Sequence, residues 1–224
     1  MKKMSKELIN AAKEGDLEKI KELTGQGLDV NVVDKYGGTA LMAAARSGNF
    51  EIVKYLIEKC GANVDVVSGY RCTALMQAVG AGHLEIVKYL IEEQNADLNV
   101  VGEMFGETTL MFAAEKGNTE VGEFLVDCGA NINAVDKYNR TALMHAVNHG
   151  NLTMVKGLVN CGANVNAVDK GGWTALMHAE DACNDNEQKT EEPDKLSVTA
   201  INRHIEIMEY LEGKHNSDAR SSFD

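Results

Sequence analysis

Aromatic side chains recur along this chain at nearly constant intervals. Those that stand three residues before a threonine are Tyr36, Tyr70, Phe105 and Tyr138; in the last such segment the aromatic residue is Trp173. Lysines adjoin or lie near several of these segments, at Lys35, Lys137 and Lys170. Exposed aromatic clusters usually mark interaction surfaces, and aromatic faces attract cations. The pattern predicts a row of aromatic and basic side chains that form an interaction surface.

Histidine is the other residue type that could carry chemistry. His145 and His178 hold equivalent positions, and His149 lies four residues after His145, a spacing that can chelate a metal on a helix face. No third or fourth ligand stands at a convincing spacing, so we expect solvated or partner-contacting histidines and no metal. Motifs for a nucleophilic serine, a phosphate loop or a zinc protease are absent. We therefore predict no enzymatic activity and no cofactor.

A repeated phrase positions these residues. It begins at threonines 33 to 35 residues apart, namely Thr39, Thr73, Thr108, Thr141 and Thr174, and usually reads Thr-Ala-Leu-Met. A threonine is a good helix N-cap, and glycines such as Gly48 end the short helix that follows. A second helix is predicted at 51–57, where apolar residues form one stripe. A stripe of this kind is buried only when neighbouring units stack.

The phrase and its period resemble the ankyrin repeat. The resemblance covers residues 5–212 and implies an all-α solenoid of six stacked helix-turn-helix repeats with short β-hairpin fingers. The term finger is used for the short stretch before each phrase that carries the aromatic residue.

The predicted organisation is a single ankyrin-repeat domain over residues 1–215. An N-terminal capping repeat at 5–34 precedes repeats at 35–67, 68–101, 102–134 and 135–167. A C-terminal repeat spans 168–212, and a flexible tail follows at 216–224. The phrase of the second helix returns only at His204, so an insertion at 184–203 interrupts this last repeat. The stretch 180–194 is rich in acids and contains the only proline, Pro193, which predicts a solvated loop.

Composition narrows the classes of partner and location. The net charge of −12 argues against sequence-independent binding to nucleic acid or to an anionic membrane surface. No apolar run approaches the ~20 residues that span a bilayer. The start of the chain lacks the apolar core of a signal peptide. Five cysteines fit reduced thiols. We expect a cytoplasmic monomer, either resident or delivered into the cytoplasm of a host cell.

The resemblance also implies where a partner binds. Ankyrin repeats bind partners through the finger tips and the exposed side of the first helices. The resemblance therefore implies that the matching positions of this chain bind a partner. The predicted partner-binding residues are Lys35, Tyr36, Arg46, Tyr70, Phe105, Glu107, Lys116, Lys137, Tyr138, Arg140, His149, Lys170 and Trp173. The methionines of the phrase, Met42, Met76, Met111, Met144 and Met177, are predicted to lie in the core.

Three functions remain open at this point. The first is a non-enzymatic scaffold that binds a protein partner through finger tips and concave face. The second, by analogy with a nucleotide-binding ankyrin domain, is a small-ligand sensor. In that case Lys137, Tyr138, Arg140, Lys170 and Trp173 would stack a base and neutralise phosphates. The third is a structural spacer, for which neither set of residues would matter.

Overall fold

The computed structural model describes residues 2–70, 72–102, 105–188 and 202–214, and every regular element within them is helical. The helices are α1 (Lys2–Glu14), α2 (Leu17–Gly25), α3 (Ala40–Ser47), α4 (Phe50–Glu58), α5 (Ala74–Ala81), α6 (Leu84–Lys88), α7 (Thr109–Lys116), α8 (Thr119–Asp127), α9 (Ala142–Asn148), α10 (Leu152–Asn160), α11 (Ala175–Gln188) and α12 (202–214). Helix α6 continues into a π-helical turn at Tyr89–Glu93. None of the described helices is long and apolar enough to cross a membrane.

The chain divides into two compact units, Met1–Thr109 and Leu110–Asp224. In the first unit α1, α3 and α5 pack side by side, while α2, α4 and α6 each pack on the helix that precedes them. In the second unit α9 packs against both α10 and α11, and α10 also packs on α8. We call the first member of each pair the inner helix and the second member the outer helix.

Threonines of the phrase cap the inner helices α3, α5 and α9, as predicted. Thr39 Oγ1 accepts a hydrogen bond from the Met42 backbone N–H at 3.2 Å, and the bond at Thr73 has the same length. In the second unit Thr141 accepts from the Met144 N–H at 3.4 Å. Each bond satisfies one of the donors that a helix start leaves without a partner.

Small and branched apolar side chains form the cores. In the first unit Leu41 and Leu75 are buried, and Ala44 has no exposed surface, so neighbouring helices approach closely. Burial of Met42, Met76, Met111 and Met144, none more than 5% exposed, confirms the prediction for these four methionines. The prediction is wrong for Met177, which is 46% exposed. Its helix, α11, has no following inner helix among the described residues to cover that face.

Within each unit, a side chain at the start of an outer helix links two of the helix pairs to the pair before it. Asn49 Nδ2 donates to the Ala12 carbonyl at 2.8 Å, and Asn151 Nδ2 donates to the Ala114 carbonyl at 2.9 Å. His83 and His204 reach the carbonyls of Arg46 and Val147 with their Nε2 atoms, at 3.1 and 3.0 Å.

The His83 ring also lies directly over Gly48, where an added Cβ would come within 2.6 Å of its Cε1 atom. Glycine is therefore required at this helix end for space as well as for its φ of +77°.

The predicted β-hairpins are not confirmed. Within the described residues the fingers are closed turns and contain no strand. The Asp34 N–H donates to the Gly38 carbonyl at 2.9 Å and the Gly37 N–H donates back to the Asp34 carbonyl at 3.1 Å. Because each finger closes on itself within five or six residues, few residues are left to form a ladder.

The interrupted last repeat also differs from expectation. Helix α11 runs to Gln188, so residues 180–188, predicted as the first part of a solvated loop, are helical. The glycine that ends other inner helices is replaced by Cys183, and the helix therefore continues. The rest of that predicted loop, at 189–194, and the predicted tail at 216–224 lie outside the described residues.

Candidate functional site

An aspartate shapes the fingers that present Tyr36 and Tyr138. Asp34 Oδ1 accepts hydrogen bonds from the backbone N–H groups of Tyr36 and Gly38, at 2.8 and 2.9 Å. Asp136 Oδ1 does the same for Tyr138 and Arg140, at 2.8 and 2.9 Å. Asx turns of this kind fix the local backbone without help from a strand. The directions in which Tyr36 and Tyr138 leave their fingers are therefore set by the fingers themselves.

Neighbouring fingers are also bonded to each other through the backbone of the aromatic residue. The Gly69 N–H donates to the Tyr36 carbonyl at 2.8 Å, and the Lys170 N–H donates to the Tyr138 carbonyl at 2.9 Å. Gly37 has a φ of +78°, and a Cβ there would lie 2.7 Å from the Gly69 nitrogen. Asn139 takes the same left-handed conformation in the second unit, with a φ of 62°, and its Nδ2 donates to the Val168 carbonyl at 2.6 Å.

In the first unit two predicted aromatic residues come together. Tyr36 and Tyr70 are 51% and 59% exposed, and their ring centroids are 6.1 Å apart with the planes tilted by 32°. The Lys35 ammonium lies 4.5 Å from the centroid of the Tyr36 ring. These distances are within the ranges for an aromatic pair and a cation–π contact.

The two tyrosines form one wall of a groove of about 500 Å³. Inner helices α1, α3 and α5 contribute its floor through Ile9, Met42 and Gln77 among others. Arg46 lines the same groove, so three of the predicted residues of this unit share one concave site. Pockets of this size can hold several side chains of a partner or a small ligand.

The other predicted residues of the first unit, Phe105 and Glu107, belong to the finger 102–107, and both are half-buried. Burial together with the charge of Glu107 raises the pKa of the Cys72 thiol. At neutral pH this thiol is therefore protonated, which disfavours a role as a nucleophile.

In the second unit a carboxylate organises the finger around Tyr138. Asp136 Oδ2 accepts from Arg140 Nη2 at 2.8 Å and lies 3.1 Å from Nε2 of His145. The Arg140 guanidinium in turn stacks 5.0 Å from the centroid of the Tyr138 ring. Burial alone raises the pKa of the Asp136 carboxyl, but the hydrogen bonds from Arg140 and Tyr138 outweigh burial and hold it below its usual value.

The next finger repeats this arrangement in part. Asp169 Oδ1 accepts from the N–H groups of Gly171 and Trp173, and its Oδ2 lies 3.0 Å from Nε2 of His178. The Trp173 and His178 ring centroids are 5.5 Å apart. Hydrogen bonds again overcome the effect of burial and lower the pKa of the Asp169 carboxyl.

The structure corrects the expectation of solvated histidines at these two positions. His145 is buried and His178 is half-buried, and each is bonded to an aspartate nine residues earlier in the sequence. These aspartates are the residues of the candidate site that reasoning from the sequence missed. The available signal was the recurrence of Asp136 and Asp169 at the same distance before the two histidines.

The remaining predicted residues of the second unit are exposed. Lys137 and Lys170 stand on fingers, beside Tyr138 and near Trp173 respectively. Lys116 lies at the end of α7, where its Nζ is 2.7 Å from Glu115 Oε1, and His149 directs its Nδ1 at the His145 carbonyl, 2.9 Å away. The rings of His145 and His149 are therefore bonded to different groups. Among the described residues, no group of three or more metal-ligating side chains comes together.

The ion pair of Arg140 argues against the small-ligand alternative. Its proposed phosphate-binding arginine, Arg140, already forms an ion pair with the buried Asp136 carboxylate. That guanidinium therefore offers a phosphate little uncompensated charge. The arrangement suits Arg140 better as a support for the Tyr138 ring.

Comparison with known proteins agrees with the repeat pattern. A family model described as ankyrin repeats (three copies) matches residues 8–102, 94–169 and 110–187. No curated protein matches the chain with significance. With inner and outer helices paired as described and most of its length matched, the chain belongs to the ankyrin repeat family.

Proposed function

We propose that this protein is a non-enzymatic scaffold that binds a protein partner through its finger tips and the exposed side of its inner helices. Ankyrin repeats are generally protein–protein interaction modules. The observation that carries the proposal for this chain is the exposure of Tyr36, Tyr70, Tyr138 and Trp173, from 38% to 59%, on fingers of fixed backbone. Rigid, exposed aromatic side chains lose little entropy on binding and are enriched among residues that dominate binding energy.

The proposed organisation is a single array of six repeats over residues 1–215, with the insertion at 184–203 inside the last one. The bond between His204 and the Val147 carbonyl supports α12 as the outer helix of that repeat, because Asn49, His83 and Asn151 make the same link elsewhere. The net charge of −12 supports a protein rather than a nucleic acid as the partner.

Position-specific photo-crosslinking tests the proposed surface. A photoreactive phenylalanine analogue is placed at Tyr70, at Tyr138 or, as a control, at Lys59 beyond the end of α4, and captured proteins are identified by mass spectrometry. We expect one protein to be captured from both finger positions and not from Lys59. Capture of a specific partner from Lys59 alone would contradict the proposed surface.

A further inference from the structure

We propose that the groove of the first unit binds an extended acidic segment of the partner that carries an aromatic or other large apolar side chain. This proposal rests on the proposed function and adds the chemistry of the partner. Three observations carry it: the cations of the groove, their excess over the one carboxylate in its described lining, and the tyrosine pair.

The cations of the groove are Lys13 and Arg46, which occupy equivalent positions two residues before the glycines that follow α1 and α3. Both side chains are exposed, and neither has a carboxylate within ion-pair distance among the described residues. In a chain of net charge −12, two such cations in one concave site are unusual. Cations in a groove with low-dielectric walls concentrate ligands of opposite charge.

The negative groups near Lys13 and Arg46 already accept hydrogen bonds from other parts of the chain. Asp34 is the one carboxylate among the described residues that line the groove, and it accepts two backbone hydrogen bonds within its own finger. The carbonyl groups at the ends of α1 and α3 would also oppose an anion. The Asn49 side chain binds the carbonyls of Ala12 and Lys13, and His83 binds that of Arg46. Lys13 and Arg46 together outnumber Asp34, so the described lining of the groove has a net positive charge.

The tyrosine pair supplies the apolar part of the site. The rings of Tyr36 and Tyr70 are paired at 6.1 Å, too close for a third ring to enter between them. A partner side chain would instead lie across their exposed faces. Lys35, stacked on Tyr36, adds positive charge at this wall.

The spacing of the cations indicates an extended ligand. Lys13 and Arg46 project from α1 and α3, which pack side by side, and packed helices are about 8–10 Å apart. An extended chain rises about 3.3 Å per residue. Two carboxylates separated by two or three residues can therefore face the two cations, with an apolar side chain left to contact the tyrosines.

A peptide selection on the full chain tests this inference. Random dodecapeptides displayed on phage are selected against the wild-type protein, and the enriched sequences are synthesised and measured by fluorescence anisotropy. We expect peptides with carboxylates two or three residues apart and an aromatic or large apolar residue. The double variant Lys13→Ala, Arg46→Ala should bind them at least about tenfold more weakly, as expected for loss of charge-assisted contacts.

The matched control removes two exposed lysines near the ends of outer helices in the same unit, Lys59→Ala and Lys88→Ala, which causes the same change in net charge. This variant should bind the peptides within about twofold of wild type. Affinity of the wild type should also fall as salt rises from about 50 to 500 mM.

The outcomes separate the inference from the proposed function. Peptides without excess acids, or peptides insensitive to the Lys13→Ala, Arg46→Ala change, would overturn the acidic-ligand inference and leave the finger surface intact. Competition by millimolar ATP would overturn it too, because the groove would then be a small-anion site. If Tyr36→Ala, Tyr70→Ala has no effect on any selected peptide, the proposed contact surface of this unit fails as well.

Discussion

At the scale of single residues, Asp136 determines much of the geometry around Tyr138. One carboxylate oxygen holds the two N–H groups of the finger, and the other holds Arg140 and His145. A buried carboxylate is tolerated only when it is paired and hydrogen-bonded, and here both conditions are met. Asp136 is therefore a positioning residue for the exposed tyrosine.

Asp136→Asn should lower the free energy of unfolding by about 2–4 kcal/mol, because the amide keeps the finger turn but loses the ion pair with Arg140. Urea denaturation followed by circular dichroism measures the change. The matched control is Asp34→Asn, where the aspartate is exposed and accepts only backbone bonds among the described residues, so the cost should be under about 1 kcal/mol. Equal costs for the two variants would contradict the role assigned to the ion pair.

The lowered pKa values of Asp136 and Asp169 predict acid sensitivity. A carboxyl whose pKa is lower in the folded than in the unfolded chain adds stability above its unfolded value of about 4, and this contribution disappears as the pH falls through the folded value. The urea midpoint of the wild type should therefore fall between pH 6 and pH 3. The fall should be smaller in Asp136→Asn, Asp169→Asn; an identical fall would show that other groups control the acid transition.

Sequence patterns located the residues of the fingers but not their partners. The spacing of the aromatic residues is visible because a solenoid repeats them with its period. The bond from Asp136 to His145 depends on how the finger folds back over the helix, and periodicity carries no information on that. Solvation was the wrong expectation for His145 for this reason.

At the scale of elements, the glycines inside the outer helices have a packing explanation. A Cβ on Gly122 would lie 3.0 Å from Met154 Cε, and one on Gly157 would lie 3.1 Å from both Thr119 Cγ2 and Glu123 Oε1. These glycines let α8 and α10 approach each other. The cost of glycine in a helix, about 1 kcal/mol relative to alanine, is thus offset by close packing.

Gly157→Ala should produce no net stabilisation, because the gain in helix propensity is opposed by the short contact with the Thr119 methyl group. In a Thr119→Ser background that methyl is absent, and the same change should stabilise by up to about 1 kcal/mol. A double-mutant cycle by thermal denaturation measures the coupling. If Gly157→Ala has the same effect in both backgrounds, the contact with Thr119 is not what constrains this position.

Helix α12 depends on His204 for its link to α9. His204→Ala should lower the free energy of unfolding by about 0.5–1.5 kcal/mol, because the Val147 carbonyl loses one donor and keeps the backbone N–H of Gly150. His204→Asn should recover most of the loss, since Asn49 and Asn151 make the equivalent bond in other pairs. Urea denaturation of the two variants measures both losses. Similar losses would argue against the hydrogen bond as the link between α12 and α9.

Element type was easier to predict than element ends. The paired helices follow from the apolar stripes and the threonine caps, which are local signals. The fingers were assigned as β-hairpins by resemblance, whereas Asp34 and Asp136 close them as turns. Helix α11 runs on to Gln188 because Cys183 stands where a glycine ends the other inner helices, and acidic composition does not by itself stop a helix.

At the scale of the whole molecule, period and phrase together predicted the family and the helical class, and the family model confirms membership over residues 8–187. The groove could not be predicted in the same way. It forms where three inner helices and two fingers meet, so its volume and its lining depend on packing. The residues Tyr36, Arg46 and Tyr70 were selected individually, but only the structure places them in one cavity with Lys13.

The central claim is that binding energy lies in the exposed aromatic residues of the fingers. Isothermal titration calorimetry with the purified partner tests it most directly. It compares the wild type with the triple variant Tyr36→Ala, Tyr70→Ala, Tyr138→Ala and with the double variant Lys59→Ala, Lys88→Ala. The finger variant should keep its helical spectrum and bind several kcal/mol more weakly, the scale of a few hot spots, while the lysine variant binds like wild type. Unchanged affinity in the finger variant together with lost binding in the lysine variant would contradict the account.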